Sequence, residues 1–144
     1  YARPMPASWM QRQAQAVHER AKQADIVITT ALIPGRKAPT LLSAETVAQM
    51  KPGSVVIDLA ALQGGNCPLT VADQVVVHNG VTIVGPTNLP AQVGADASAL
   101  YARNLLDFMK LLFDKEGQFT INLEDDIVAA CLMCRDGQIV RKNG

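Results

Sequence analysis

The chain has 144 residues, 49% hydrophobic and 18% charged, with 13 Lys plus Arg against 13 Asp plus Glu and a formal net charge of zero. That composition argues against disorder and offers no basic face for nucleic acid. Its longest apolar runs, such as VVIDLAAL, fall far short of the roughly 20 residues a spanning helix needs, and no signal-peptide pattern opens the sequence, so a soluble domain or fragment is expected.

Tyr1 to Ala7 carries Pro4 and Pro6 without apolar periodicity and reads as a loop. A helix follows from Ala7 or Ser8 to about Gln23, because Met10, Ala14, Val17 and Ala21 recur at helical spacing. Ile26 to Thr30 is wholly β-branched, which suits a strand covered on both faces in a parallel sheet. Pro34-Gly35 breaks the run. Ser43 is a good N-cap for a short helix, SAETVAQM, which Lys51-Pro52-Gly53 ends. Ser54 to Leu59 is the next strand, and its loop closes at Gly64-Gly65-Asn66. Gln74 to Val77 is a short strand, Asn79-Gly80 a hairpin signal, and Val81 to Val84 a further strand. Pro86 and Pro90 bracket a loop. A long helix from about Asp96 to Phe113 follows, with Leu100, Leu105, Phe108, Leu111 and Leu112 in a broad apolar stripe. Phe119 to Val140, with a second hairpin signal at Asp136-Gly137, reads as a small β element packed elsewhere than on the first sheet.

The strand–loop–helix–strand–loop run from Ala24 to Asn66 matters most. In an open parallel α/β sheet, ligands bind at the carboxyl ends of the strands, and both loops lie there. Ala31 to Gly35 follows Thr29-Thr30, where small residues admit a ligand; the alternative is an ordinary strand-to-helix connection. Asp58 ends an otherwise apolar strand, so its carboxylate must be solvated, bonded to backbone N–H groups, or used; capping of neighbouring amides is the favoured reading. Asn88 can donate and accept at once, which suits a carboxamide, or it simply forms a turn. His18 and His78 read as surface histidines. Cys131 and Cys134 have C-x-x-C spacing but stand alone within AACLMC, and buried free thiols are expected. No catalytic triad or metal set is visible. Any reaction here should need little protein acid or base, as in direct hydride transfer between two nicotinamides.

Four segments carry a family resemblance: TTALIPGRKAPTLL, MKPGSVVIDLAALQGGNCPLT, NGVTIVGPTNLP and ASALYARNLLDFMKLL. Together they resemble the NAD(H)-binding domain I, at the alpha-subunit end, of proton-translocating NAD(P) transhydrogenase, over essentially the whole chain. That domain is itself similar to alanine dehydrogenase. Alanine dehydrogenases typically read DVAIDQGG in the second loop, with a catalytic aspartate where this chain has Leu62. A leucine cannot do the acid–base work of oxidative deamination.

The resemblance implies the second half of a Rossmann-like parallel α/β subdomain plus a return helix and small β element of another subdomain. Residues 1–7 would be a mobile-loop remnant, 8–94 the C-terminal half of the NAD-binding subdomain, and 95–144 the part completing the other. It implies nucleotide contacts at Tyr1, Gln13 and Leu32, with Ala31, Ala60 and Asn88 around the nicotinamide, and no catalytic side chain or metal. The cofactors implied are NAD(H) here and NADP(H) on a separate domain. The partners implied are the N-terminal half of domain I, a second copy in a homodimer, and NADP-binding and membrane domains. The complex would lie on the cytoplasmic side of the bacterial inner membrane or the mitochondrial matrix side. The family's G-x-G-x-x-G fingerprint, ribose-reading acid and Arg-Gln-Asp loop lie upstream of this sequence, so a chain truncated or cleaved at the mobile loop is expected. Without its other half it is expected to bind NADH weakly and turn nothing over. The rival expectations are an alanine-dehydrogenase-like oxidoreductase and an idle dimerisation or scaffold module.

Overall fold

A computed structural model describes residues 5–141; Tyr1 lies outside them. The chain divides at Leu89–Pro90 into two compact units. In the first, helix α1 (Ala7–Ala21) precedes strand β1 (Ile26–Thr29), helix α2 (Ala44–Ala48), strand β2 (Val55–Asp58), a 3₁₀ turn (Ala61–Gln63) and strands β3 (Val75–His78) and β4 (Val81–Val84). The sheet order is β1-β2-β4-β3. Strands β1, β2 and β4 run parallel, and β3 joins β4 as an antiparallel hairpin. Asn79 and Gly80 both take positive φ in its turn, as a two-residue hairpin with the native twist requires. No helix among the described residues is long and apolar enough to cross a membrane.

Register decides which side chains make the core. Val27, Val56, Ile83 and Val76 lie in one row across the sheet. They face Leu42, Val47 and Met50, brought there by α2 and its flanks, together with Ala21 and Cys67. The opposite face is apolar but uncovered. Ile26 and Ile28 on β1 and Val75 and Val77 on β3 are each about 60% exposed or more. The expectation of a β1 strand covered on both faces is therefore corrected: this unit supplies helices to one face only. The helix expected from the spacing of Met10, Ala14, Val17 and Ala21 is present as α1, with Ala21 its buried member.

Ser43 caps α2 by accepting from the Thr46 N–H at 3.1 Å. The Thr46 hydroxyl lies 2.8 Å from the Ser43 hydroxyl and 2.8 Å from His18 Nδ1, so the cap also ties α1 to α2. His18 is thus a half-buried bridging residue rather than a free surface one.

In the second unit, helices α3 (Leu89–Gln92, at the division) and α4 (Gly94–Lys110) are followed by α5 (Asp126–Cys131) and a hairpin of β5 (Cys134–Arg135) and β6 (Gln138–Ile139). The region expected to be β throughout contains α5 because Asp125 caps it, accepting from the Ile127 and Val128 N–H groups. AACLMC consequently ends a helix and enters a strand. Cys131 and Cys134 are exposed, not buried; Cys67, whose thiol burial pushes up in pKa, is the buried cysteine.

Candidate functional site

Three loops leave the carboxyl ends of the parallel strands, and side chains of the loops after β2 and β4 fix their shape. Asp58, fully buried, is the hub. Its Oδ1 accepts from the Thr29 hydroxyl and the Ala60 N–H, both at 3.1 Å. Its Oδ2 accepts from the Asn66 N–H (2.7 Å), the Cys67 N–H (3.1 Å) and the Thr70 hydroxyl (2.7 Å). A buried carboxylate is tolerable only when its lone pairs are met in this way. Gly65 is required beside it: its φ is +78°, and an added Cβ would lie 2.7 Å from Asp58 Oδ2.

Asn66 and Gln63 then clasp the loop after β1. Asn66 accepts from the Ala31 N–H at 3.0 Å and donates to the Ala31 and Pro39 carbonyls, each at 2.8 Å. The Gln63 side chain faces the Ile33 and Arg36 carbonyls, which orients its amide nitrogen toward them at 2.7 and 3.0 Å. Its backbone carbonyl accepts from the Ala38 N–H at 2.8 Å. The third loop, carrying Asn88, is anchored by Asp73, whose carboxylate accepts from the Thr87 N–H and hydroxyl. Those bonds hold the Asp73 carboxyl below the usual carboxylate range.

The residues singled out from the sequence are distributed as follows. Ala31 and Leu32 open the loop after β1, with Leu32 46% exposed. Ala60 follows β2 but is fully buried, its carbonyl accepting from the Gln63 and Gly65 N–H groups; it forms floor rather than contact surface. Ala31 and Ala60 are joined through Asn66 and Asp58. Asn88 is exposed in the loop after β4. Gln13 stands apart on α1, beside Val17 and Arg20 in a concavity of about 530 Å³ that borders Ile26 and Ile28. Another concavity, of about 490 Å³, is lined by α1 and the segment around α2 and includes no strand end. Sequence reasoning misses the organising roles of Gln63, Asn66 and Asp73. Only the Gly-Gly-Asn run hints at the second, because a hydrogen bond spanning 35 residues leaves no local trace.

The arrangement offers a preformed apolar and backbone surface with its polar side chains already engaged. Leu62, 69% exposed, occupies the outward position of the second loop. A leucine side chain at that position neither takes nor gives a proton.

Comparisons with known proteins agree with this fold. The family described as alanine dehydrogenase/PNT, C-terminal domain, matches residues 5–142. An NAD(P) transhydrogenase alpha-subunit polypeptide of Rhodospirillum rubrum is 50% identical over 141 residues, 97% of this chain and 37% of that protein. The crystal structure of transhydrogenase from Sinorhizobium meliloti superposes with a TM-score of 0.78 at 42% identity, over 95% of this chain and 38% of that one. Alanine dehydrogenase of Halomonas elongata is more distant, at 34% identity over 88% of this chain and 35% of its own length. The chain thus spans little more than a third of the length of each of these three relatives.

Proposed function

The chain belongs to the alanine dehydrogenase/PNT C-terminal domain family, and from that membership we propose that it is the nicotinamide-side portion of the NAD(H)-binding component of a proton-translocating NAD(P) transhydrogenase. One observation carries the choice of reaction. Every polar side chain of the second loop is committed to holding loops together, and the outward position is Leu62. An amino-acid dehydrogenase needs a group there to move protons. Direct hydride transfer does not, so position and electrostatics suffice.

The fit to a dinucleotide rests on the same surface. Ala31 presents a small side chain on a backbone fixed by Asn66, and Leu32 and Asn88 are exposed in the loops after β1 and β4, the strands on either side of β2. When bound, the nicotinamide supplies the hydride; this chain's residues seat the ring and exclude water. Leu32 would pack against it and Asn88 would pair with its carboxamide. Gln13 would act from α1, and Tyr1, which lies outside the described residues, would join it in contacting the nucleotide. NADP(H) would be held by a separate domain, with a membrane domain coupling the reaction to proton movement. The assembly would be dimeric, on the cytoplasmic face of the bacterial inner membrane or the matrix face of the mitochondrial one.

The test uses the intact protein with NADH deuterated at the transferring carbon. Reduction of NADP⁺ with full retention of the label is expected, because direct transfer never passes through water. NADH oxidation that requires pyruvate and ammonia would instead establish the alanine-dehydrogenase reaction. Dimers showing no response to nucleotide would leave only a scaffold role.

A further inference from the structure

We propose that Gln63 is a positioning residue for the hydride donor: its side-chain amide sets the loop after β1 from within and so fixes where Leu32 meets the nicotinamide. The inference rests on the transhydrogenase reading, in which the ring packs against Leu32.

The loop from Thr30 to Pro39 has a stem and a crest. Asn66 holds the stem, accepting from the Ala31 N–H and donating to the Ala31 and Pro39 carbonyls. The crest is the turn Ile33-Pro34-Gly35-Arg36. It is closed by the Arg36 N–H, which donates to the Ile33 carbonyl at 3.1 Å, and Gly35 takes a φ of +71°. Proline and then a positive-φ glycine at the two central positions suit a type II turn. Such a turn closes on itself and does not fix its own orientation on the unit. Among the described residues, the hydrogen bonds that reach residues 32–36 from outside the loop are those of the Gln63 side chain, to the Ile33 carbonyl at 2.7 Å and the Arg36 carbonyl at 3.0 Å.

Leu32 sits where the two clamps meet. The carbonyl before it, of Ala31, is held by Asn66, and the carbonyl after it, of Ile33, by Gln63. Leu32 is itself exposed, so its backbone rather than its packing decides where the side chain stands. Gln63 is placed in turn by its own backbone. Its N–H donates to the Ala60 carbonyl at 2.9 Å, and its carbonyl accepts from the Ala38 N–H at 2.8 Å. The Ala60 N–H donates to Asp58. Support thus runs from the Asp58 hub through Ala60 and Gln63 to Leu32. A neutral amide suits this position, because both of its N–H groups meet carbonyls. A carboxylate would repel those carbonyls, and an alanine would leave them to water.

A misplacement of about 1 Å can cost about a hundredfold in rate when reacting atoms must be aligned. A loosened crest should therefore register in the transfer step more than in affinity, because the dinucleotide keeps its other contacts.

The experiment compares the intact protein with its Gln63→Ala and Gln63→Glu variants. It measures single-turnover hydride transfer from NADH to NADP⁺, NADH affinity by fluorescence, and amide hydrogen exchange across residues 32–36. In Gln63→Ala, transfer should slow about tenfold or more while NADH affinity stays within about threefold. Exchange across residues 32–36 should rise in the same variant. Gln63→Glu should be as slow near neutral pH, and should recover relative to wild type as pH falls, because the protonated carboxyl regains a donor. The two carbonyls disfavour its charged form and so raise its titration above the ordinary carboxylate range. A merely structural lesion would not recover in this way. Unchanged transfer or unchanged exchange in Gln63→Ala, a loss confined to NADH affinity, or no recovery of Gln63→Glu at low pH each overturns the proposal. Wild-type protein that transfers no hydride to NADP⁺ refutes the transhydrogenase reading and the proposal with it. Wild-type transfer with an unaffected Gln63→Ala refutes the proposal alone.

Discussion

Asp58 is fully buried and accepts five hydrogen bonds, from Thr29, Ala60, Asn66, Cys67 and Thr70. The carboxylate is therefore structural, and substitution should register in stability before it registers in chemistry. Asp58→Asn keeps the size but turns an amide nitrogen toward donors that need an acceptor. Removing such bonds should cost about 3 kcal/mol, read as a lowered urea midpoint of the intact protein; a shift below about 1 kcal/mol would contradict the hub role. Asp73 allows a test by pH. Its carboxyl is held low by the Thr87 hydroxyl first and the Thr87 N–H second. With the folded value depressed, the clamp on the Asn88 loop is intact above the ordinary carboxylate range. It is lost only as pH falls through the folded value. The Thr87 amide resonance should therefore titrate below the range of exposed aspartates, and Asp73→Asn should abolish that titration. An amide shift centred in the ordinary range would refute the clamp.

Among the elements, α2 is the smallest with an identifiable role. Five residues cannot sustain a helix by propensity, so its cap and its packing hold it. Ser43→Ala removes the bond to the Thr46 N–H and loosens the Thr46–His18 link. A loss of about 1 kcal/mol is expected, seen as a lower thermal midpoint. A change indistinguishable from zero would mean that packing alone positions α2. The cap is legible in the sequence because capping is written in adjacent residues, and so is the Asn79-Gly80 turn. Strands β1 and β2 are legible from their β-branched runs, but their burial is not. Whether Ile26 and Ile28 meet a second layer depends on segments remote from them. Helix α5 escapes a sequence reading because apolar AACLMC carries no strong period, while the deciding signal, Asp125, is hidden among its acidic neighbours Glu124 and Asp126. At the site, the strand ends are readable from Thr29-Thr30 and Asp58. The clasp by Gln63 and Asn66 is not, since tertiary hydrogen bonds carry no sequence spacing.

At the scale of the whole molecule, the uncovered face of the sheet is the dominant physical fact. Ile26, Ile28, Val75 and Val77 form a contiguous apolar surface with Val55, Ile57 and Val84, and the outer edge of β1 is unpaired. Such a face and edge invite association in water. The transhydrogenase relatives are more than twice as long as this chain, and a preceding segment that covers the face would also complete a dinucleotide site at the same strand ends. On the proposed transhydrogenase reading this chain holds only part of the dinucleotide contacts, and each tenfold in affinity corresponds to about 1.4 kcal/mol. The 144 residues alone should therefore bind an apolar dye strongly and NADH at least about a hundredfold more weakly than the intact protein does. On the same reading, co-expression with a segment that covers the face should quench the dye signal and raise NADH affinity together. Tight, stoichiometric NADH binding by the isolated chain in calorimetry would show instead that the three strand-end loops are a complete site by themselves.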